Sequence, residues 1–346
     1  MDLSRAAAGA LDDADPLAGF RARFAGVDDG LLYLDGNSLG RLPVDTPAAV
    51  ARVVEQEWGR GLVGSWRDWV GQSRRIGDVL ATGVLGARAG EVLVGDTTSV
   101  DLYKVLVAAA DARPGRDVLV CCADDFPTDR YIVAGVAEAR GMTVREIDAH
   151  IDTGLELDVL AAALDERVAV VVLSQVAYRS GALVDIAEVT RLAADAGALV
   201  VWDLSHGAGA VPADLHAAGA DLAVGCTYKY LNGGPGAPAF LYVRRELQAQ
   251  LRQPIWGWFG QRDQFAMGTA YDPADGVDRF AVGTPPVLAM AAVEVGARLC
   301  AEAGMERLAA KGQALTELVI ALADGWLAGH GSPSPHPGSP TAAART

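Results

Sequence analysis

From about residue 90 onward the chain alternates two patterns. Short runs such as VLVCC (118–122), VAVVVLS (168–174) and ALVVWDLS (198–205) are apolar at consecutive positions and rich in β-branched residues. They predict strands buried on both faces. Between them lie longer stretches with helical spacing of apolar positions. DRYIVAGVAEARG follows VLVCC, LELDVLAAALDE follows MTVREI (142–147), and DIAEVTRLAADAG follows VAVVVLS. The pattern continues through DLAVGCTY and APAFLYV. Such alternation predicts an α/β domain with a mainly parallel sheet and helices on both faces, here over residues 45–255. Residues 1–44 read as an amino-terminal arm with LLYLDGNSLGRLP as an extended segment and turn. Residues 256–328 read as a linker and a partial small domain, helical from about 285. Residues 329–346 are Pro/Ser/Gly-rich with almost no large apolar residues, a composition that predicts disorder.

Composition narrows the partners. The 346 residues suffice for a large core, and 51% hydrophobic with 21% charged residues is ordinary for a soluble globular protein. A formal net charge of −15 without a lysine or arginine cluster argues against nucleic acid or an anionic membrane as the main partner. A small anionic ligand held by local donors is compatible with it. The acidic start, MDLSRAAAGALDDADPLAGF, lacks the basic and apolar regions of a signal peptide, and no apolar run has the length of a membrane span. The four cysteines show no CxxC spacing and read as buried thiols in a reducing cytoplasm.

The usual lone motifs are missing. There is no G-x-G-x-x-G after a strand, no P-loop and no HExxH, and the five histidines have no ligand spacing, so no metal site is expected. A constellation remains. Asp203 and His206 close a buried strand in VVWDLSHGAG, and Lys229 follows the next apolar run, in CTYKYLNGGPGAPAF. The carboxyl ends of adjacent parallel strands face one crevice, where these side chains can meet. Read singly, Asp203 is a turn residue and Lys229 a surface charge. Read together, they supply the two groups that pyridoxal phosphate requires: an acidic partner for its ring nitrogen and a Schiff-base lysine. Thr97, Thr98 and Ser99 open a helix in EVLVGDTTSVDLYKVLVAAA, where free amides bind anions, although a plain helix cap explains them as well. In DFPTDRY, Phe126 offers a ring for stacking or for the core, with Asp129 at the same edge. Ser174 ends its strand with a hydroxyl there.

Seven collinear segments carry a resemblance: LYLDGNSLGRLP, GDTTSVDLYK, DFPTDRYI, VVWDLSHGAGAVP, CTYKYLNGGPGAPAF, WGWFGQ and FAVGTPP. From roughly residue 15 to 328 the chain resembles kynureninases, fold type I pyridoxal-phosphate enzymes of tryptophan catabolism that hydrolyse L-kynurenine to anthranilate and L-alanine. The resemblance implies that Lys229 is the Schiff-base lysine, that Asp203 partners the pyridine nitrogen, and that Phe126 stacks on the ring with His206 and Asp129 beside it. It also implies that Thr97, Thr98, Ser174 and Tyr228 contact the cofactor, with Tyr228 a phosphate ligand and candidate acid. Trp258 and Thr284 match positions that reach the neighbouring subunit's site, implying a homodimer with shared sites; the family often has asparagine at the position of Thr284.

Beyond Trp326 the sequence leaves the family pattern for GSPSPHPGSPTAAART. The family has a longer carboxy-terminal portion there, with an arginine for the substrate's α-carboxylate; Arg345 has no matching context and is not assigned. The reading is therefore a kynureninase shortened at that end. The alternatives are an impaired, cofactor-binding remnant, or another fold type I reaction such as transamination or desulfuration. The residues do not choose between kynurenine and 3-hydroxykynurenine.

Overall fold

A computed structural model describes residues 4–327; the tail expected to be disordered, residues 329–346, lies outside them. Seven strands form one sheet: β1 (Val92–Gly95), β2 (Val118–Cys122), β3 (Thr143–Ile147), β4 (Val168–Ser174), β5 (Leu199–Asp203), β6 (Leu222–Gly225) and β7 (Ala239–Val243). Their spatial order is β1-β7-β6-β5-β4-β2-β3. Only β7 runs antiparallel to its neighbours; β2, β3, β4, β5 and β6 pair parallel. Because β7 is antiparallel to both β6 and β1, strand β1 points the same way as the parallel set. The carboxyl ends of six strands therefore share one edge.

The helices are α1 (Arg5–Asp13), α2 (Thr46–Arg52), α3 (Trp66–Trp69), α4 (Gln72–Gly83), α5 (Thr98–Asp111), α6 (Pro127–Arg140), α7 (Leu157–Ala163), α8 (Ile186–Asp195), α9 (Arg245–Gln248), α10 (Val287–Ala303) and α11 (Met305–Leu327). A π-helical stretch, Val53–Gly61, follows α2. Local chemistry fixes their ends. Thr97 caps α5 by accepting from the Val100 amide at 3.3 Å, and Asp185 caps α8 through the Glu188 amide at 3.0 Å. Pro127 starts α6, and Gly141 ends it in the left-handed conformation (φ 63°).

Side-chain alternation along each strand divides the core into two layers. Val118, Val120, Val200 and Trp202 face α4, α7, α8 and α10. Leu119, Cys121, Leu199 and Val201 face α5 and α6. All five residues of β2, β5 and β7 are buried, as are all seven of β4, which is why these runs lack polar alternation. Edge strand β3 carries exposed Thr143 and Glu146 instead. All four cysteines are buried free thiols. Among the described residues no helix is long and apolar enough to cross a membrane.

Helix α10, expected among the residues after 255, buries Met290, Val293, Ala297 and Cys300 in the same core as α4 and β5. It also supports the loop after β6. A Cβ on Gly296 would lie 1.9 Å from the carbonyl oxygen of Leu231, so only glycine allows this approach. Gly296→Ala is expected to cost about 1–3 kcal/mol of stability, the usual range for overpacking. Gly9→Ala on α1, where an added Cβ meets nothing within 4 Å, should cost nothing. Chemical denaturation of the two variants checks this; equal midpoints would refute the close-contact argument.

Candidate active site

The strand order changes direction at β2. Its successor β3 lies on one side, while β4, β5 and β6 return on the other. Such a switch point opens a crevice at the carboxyl edge of a parallel sheet. Asp125 closes the bottom of that crevice, accepting from the Cys122 amide at 3.0 Å and the Ser174 amide at 3.2 Å. It thereby ties the end of β2 to the end of β4. Burial pushes its carboxyl up to about 6 despite these donors. The sequence reading passed over Asp125; its signal was an acidic residue three positions after an all-apolar strand.

Two further carboxyls lie beside it. Asp203 ends β5, is 4% exposed, and accepts from the Ser205 amide at 2.8 Å. Asp129, in the first turn of α6, is 3% exposed. Burial first, then the charges of Asp203 and Asp125, hold the Asp129 carboxyl well above its ordinary range. Asp129 therefore carries a proton toward Asp203, while its own Oδ2 is buried without a partner.

Lys229 enters the crevice from the loop after β6 and is 9% exposed. Its Nζ lies 2.7 Å from His206 Nε2, on the loop after β5. No carboxylate lies within ion-pair distance of it among the described residues. Burial and then the nearby lysine charge lower the pKa of His206, which keeps the imidazole neutral. The Lys229 loop is pinned along its length. Cys226 donates its amide to Ser205 Oγ at 3.2 Å, Thr227 Oγ1 donates to Pro238 O at 2.6 Å, and the Gly40 amide donates to Tyr228 O at 2.8 Å. The last contact brings the NSLG turn of the arm over the lysine, and a Cβ on Gly40 would lie 2.2 Å from Lys229 O.

Aromatic groups line the opening. The Phe126 ring centroid is 5.8 Å from Lys229 Nζ and the Tyr228 ring 6.0 Å. Phe126, 41% exposed at the start of α6, meets Tyr178 edge-on at 5.4 Å, so it is not a core residue. Burial, reinforced by Cys226, pushes the Tyr228 phenol up to about 12, so it remains a proton donor at neutral pH. At the same sheet edge, Thr97 caps α5, and the amides of Thr97, Thr98 and Ser99 precede the first helical hydrogen bond, from Asp101 to Thr97 O.

Trp258 and Thr284 do not join this group within one chain. Trp258 packs with Trp66 at 5.8 Å and Phe259 at 4.6 Å. Thr284 lines a separate cavity of about 670 Å³ with Arg74, Lys104 and Gln264.

The residues present fit pyridoxal phosphate. A protonated ring nitrogen supplies a donor to a carboxyl pair whose Asp129 Oδ2 is buried without one, Phe126 offers a free ring face, and the α5 amides can bind an anion. Fold comparison agrees on the scaffold. The cysteine desulfurase of Thermococcus onnurineus NA1 superposes with a TM-score of 0.76 at 19% identity, covering 89% of this chain and 76% of that one. The Escherichia coli cysteine desulfurase CsdA gives 0.75 at 20% identity, covering 90% and 77%. At such identities the likeness is one of fold. The Aminotransferase class-V family matches residues 82–324, and the chain belongs to that class. Within it, the kynureninase of Pseudomonas fluorescens is 46% identical over 329 residues, 93% of this chain and 77% of the relative. The kynureninase of Burkholderia pseudomallei (strain K96243) is 44% identical over 328 residues, covering 92% and 77%. The chain belongs to the kynureninase family.

The raised Asp129 has a consequence for stability. Folding favours its protonated form, so its contribution is fully present below about pH 4, the ordinary carboxylate value, and is lost as pH rises through the folded value. Asp129→Asn stays neutral throughout. The Tm of the cofactor-free variant is expected to fall less between pH 5 and pH 8 than that of the native chain. Equal declines would show that Asp129 holds no extra proton.

Proposed function

We propose that this chain hydrolyses L-kynurenine to anthranilate and L-alanine, using pyridoxal phosphate held at the sheet edge between Lys229, Asp203 and Phe126. The observation that carries this reading is Lys229 itself, buried against His206 and close enough for its charge to act on the buried carboxyl of Asp129. Identity to kynureninases at 46% supports this substrate over the desulfurases, whose likeness is one of fold.

When bound, the cofactor supplies a ring that draws electrons from the substrate's α-carbon. The chain's residues do the rest. Asp203, with Asp129 beside it, would hold the protonated ring nitrogen, and Phe126 would stack on the ring. Lys229 Nζ would hold the cofactor and serve as the base for the substrate's α-proton. His206, kept neutral by burial, accepts a hydrogen bond from that amine and steers it. Tyr228 keeps its proton to well above neutral pH and serves as phosphate ligand and acid for the alanyl fragment. Thr97, Thr98 and the α5 amides would take the phosphate; Ser174, whose amide donates to Asp125, would contact the cofactor from the end of β4.

Two further assignments belong to this reading. The catalytic unit is a homodimer in which Trp258 and Thr284 serve the partner's site, supported by their separation from Lys229 within one chain. Residues 45–255 form the cofactor-binding domain, followed over 256–328 by a linker and small-domain segment.

Lys229→Ala is expected to lose at least about 10²-fold in turnover, the lower bound for removing a positioned acid or base. It should also lose the near-visible absorbance of lysine-bound cofactor. Anthranilate fluorescence and cofactor absorbance, recorded together on native and variant protein, check both. Native protein that binds cofactor yet releases no anthranilate from kynurenine or 3-hydroxykynurenine would instead make it a binding remnant.

A further inference from the structure

A second buried lysine stands behind the first turn of α5, and the chemistry above does not use it. Lys104 is 1% exposed. Its Nζ lies 2.7 Å from Asp96 Oδ2 and 2.8 Å from Asp101 Oδ1, and it donates to the carbonyl oxygen of Phe280 at 3.0 Å. Around it, α5 buries Leu102, Val105 and Leu106. A lysine costs stability at such a position unless it is fully paired, so an apolar residue would serve packing better.

What the amine grips gives it a task. Asp96 immediately precedes the Thr97 cap and holds φ at +52°, in the left-handed region that a non-glycine residue enters only when held there. Its carbonyl is fixed as well, accepting from the Ala239 amide of β7 at 3.1 Å. With side chain and carbonyl both anchored, the direction of the 96–97 peptide is set. That direction aims the amides of Thr97, Thr98 and Ser99. The turn lies at the same sheet edge as the crevice where the unpartnered Oδ2 of Asp129 is buried. Lys104 also neutralises carboxylate charge that would otherwise stand beside an incoming dianion.

We propose that Lys104 is a positioning residue: by holding Asp96 in its left-handed conformation and balancing its charge, it presets the α5 turn for the cofactor's phosphate. This rests on the assignment of Thr97–Ser99 as the phosphate turn. Phosphate alone is affected, because the ring and aldehyde are held elsewhere, by Asp203, Phe126 and Lys229. Asp96→Ala removes the clamp yet leaves the Lys104–Asp101 pair, so the variant keeps its buried ion pair. Asp96→Asn keeps both an acceptor for Lys104 and a residue type that tolerates positive φ.

The experiment titrates cofactor-free native protein and both variants with pyridoxal phosphate and with phosphate-free pyridoxal, following absorbance. Asp96→Ala is expected to weaken pyridoxal phosphate by about tenfold or more, the equivalent of one charge-assisted hydrogen bond, with pyridoxal affinity nearly unchanged. Asp96→Asn is expected to retain native affinity for both. Native affinity in Asp96→Ala, or an equal loss of both ligands, overturns the proposal. Native protein that binds pyridoxal but gains nothing from the phosphate overturns it too. Native protein that binds neither ligand overturns the cofactor reading itself, so the two failures are distinguishable.

Discussion

The contact on which the site depends is the 2.7 Å approach of Lys229 Nζ to His206 Nε2. A buried amine requires a partner, and this one has an imidazole where a carboxylate would have been the common choice. A carboxylate in contact would lock the ammonium into an ion pair and hold it away from a carbonyl carbon. A neutral imidazole satisfies the amine and lets it go. That choice constrains the neighbouring structure. Two loops after parallel strands β5 and β6 must be held close together, which the Cys226 amide to Ser205 Oγ bond does directly. From outside, the Gly40 amide and the bare surface of Gly296 press on the same loop from the arm and from α10.

The carboxyls complete the electrostatics. Asp125, Asp129 and Asp203 come from three elements, yet the switch in strand order brings them to one crevice. Three negative charges cannot share a buried space cheaply, and the structure meets this by keeping a proton on Asp129. Asp125 spends its acceptors on the backbone of β2 and β4, and so acts as a tie between strands. Asp203 accepts from the Ser205 amide and faces the proton of Asp129, whose Oδ2 is left without a partner. The carboxyl pair that faces the opening is thus the pair with unused hydrogen-bonding capacity, which is what a protonated ring nitrogen needs.

Much of this was legible in the sequence, for identifiable reasons. VLVCC, VAVVVLS and LVVWD declared themselves because central parallel strands are covered on both faces and tolerate no polar alternation. Asp203 and Lys229 were legible because a polar residue ending such a run has only the crevice to enter. Phe126 was ambiguous: as a residue type it reads equally as core, and only its position ahead of Pro127 at the start of α6 leaves its ring exposed. Asp125 was missed because its role is a tie between β2 and β4, strands adjacent in space and 45 residues or more apart in the chain. Helix α1 was missed within a segment read as an arm; its nine residues bury none of their side chains, so no core contact marks it.

Two lysines, nearly equally hidden, show why burial alone does not identify chemistry. Lys104 has Asp96, Asp101 and a carbonyl around it; burial pulls its pKa down, but the two carboxylates more than offset this and hold it charged. Lys229 has one imidazole and two ring faces. The first is fixed in charge and place and can only orient what it grips. The second is surrounded by groups that release it. In sequence the two sit in VDLYKVLV and CTYKYLNG, each beside aromatic and apolar residues, and nothing local separates them. The difference arises from position along the sheet edge: Lys104 points back from within a helix toward the end of β1, where carboxylates converge, and Lys229 leads off β6 into the crevice. The same residue type is locked among carboxylates in one place and left beside a neutral imidazole in the other because the fold chooses its partners.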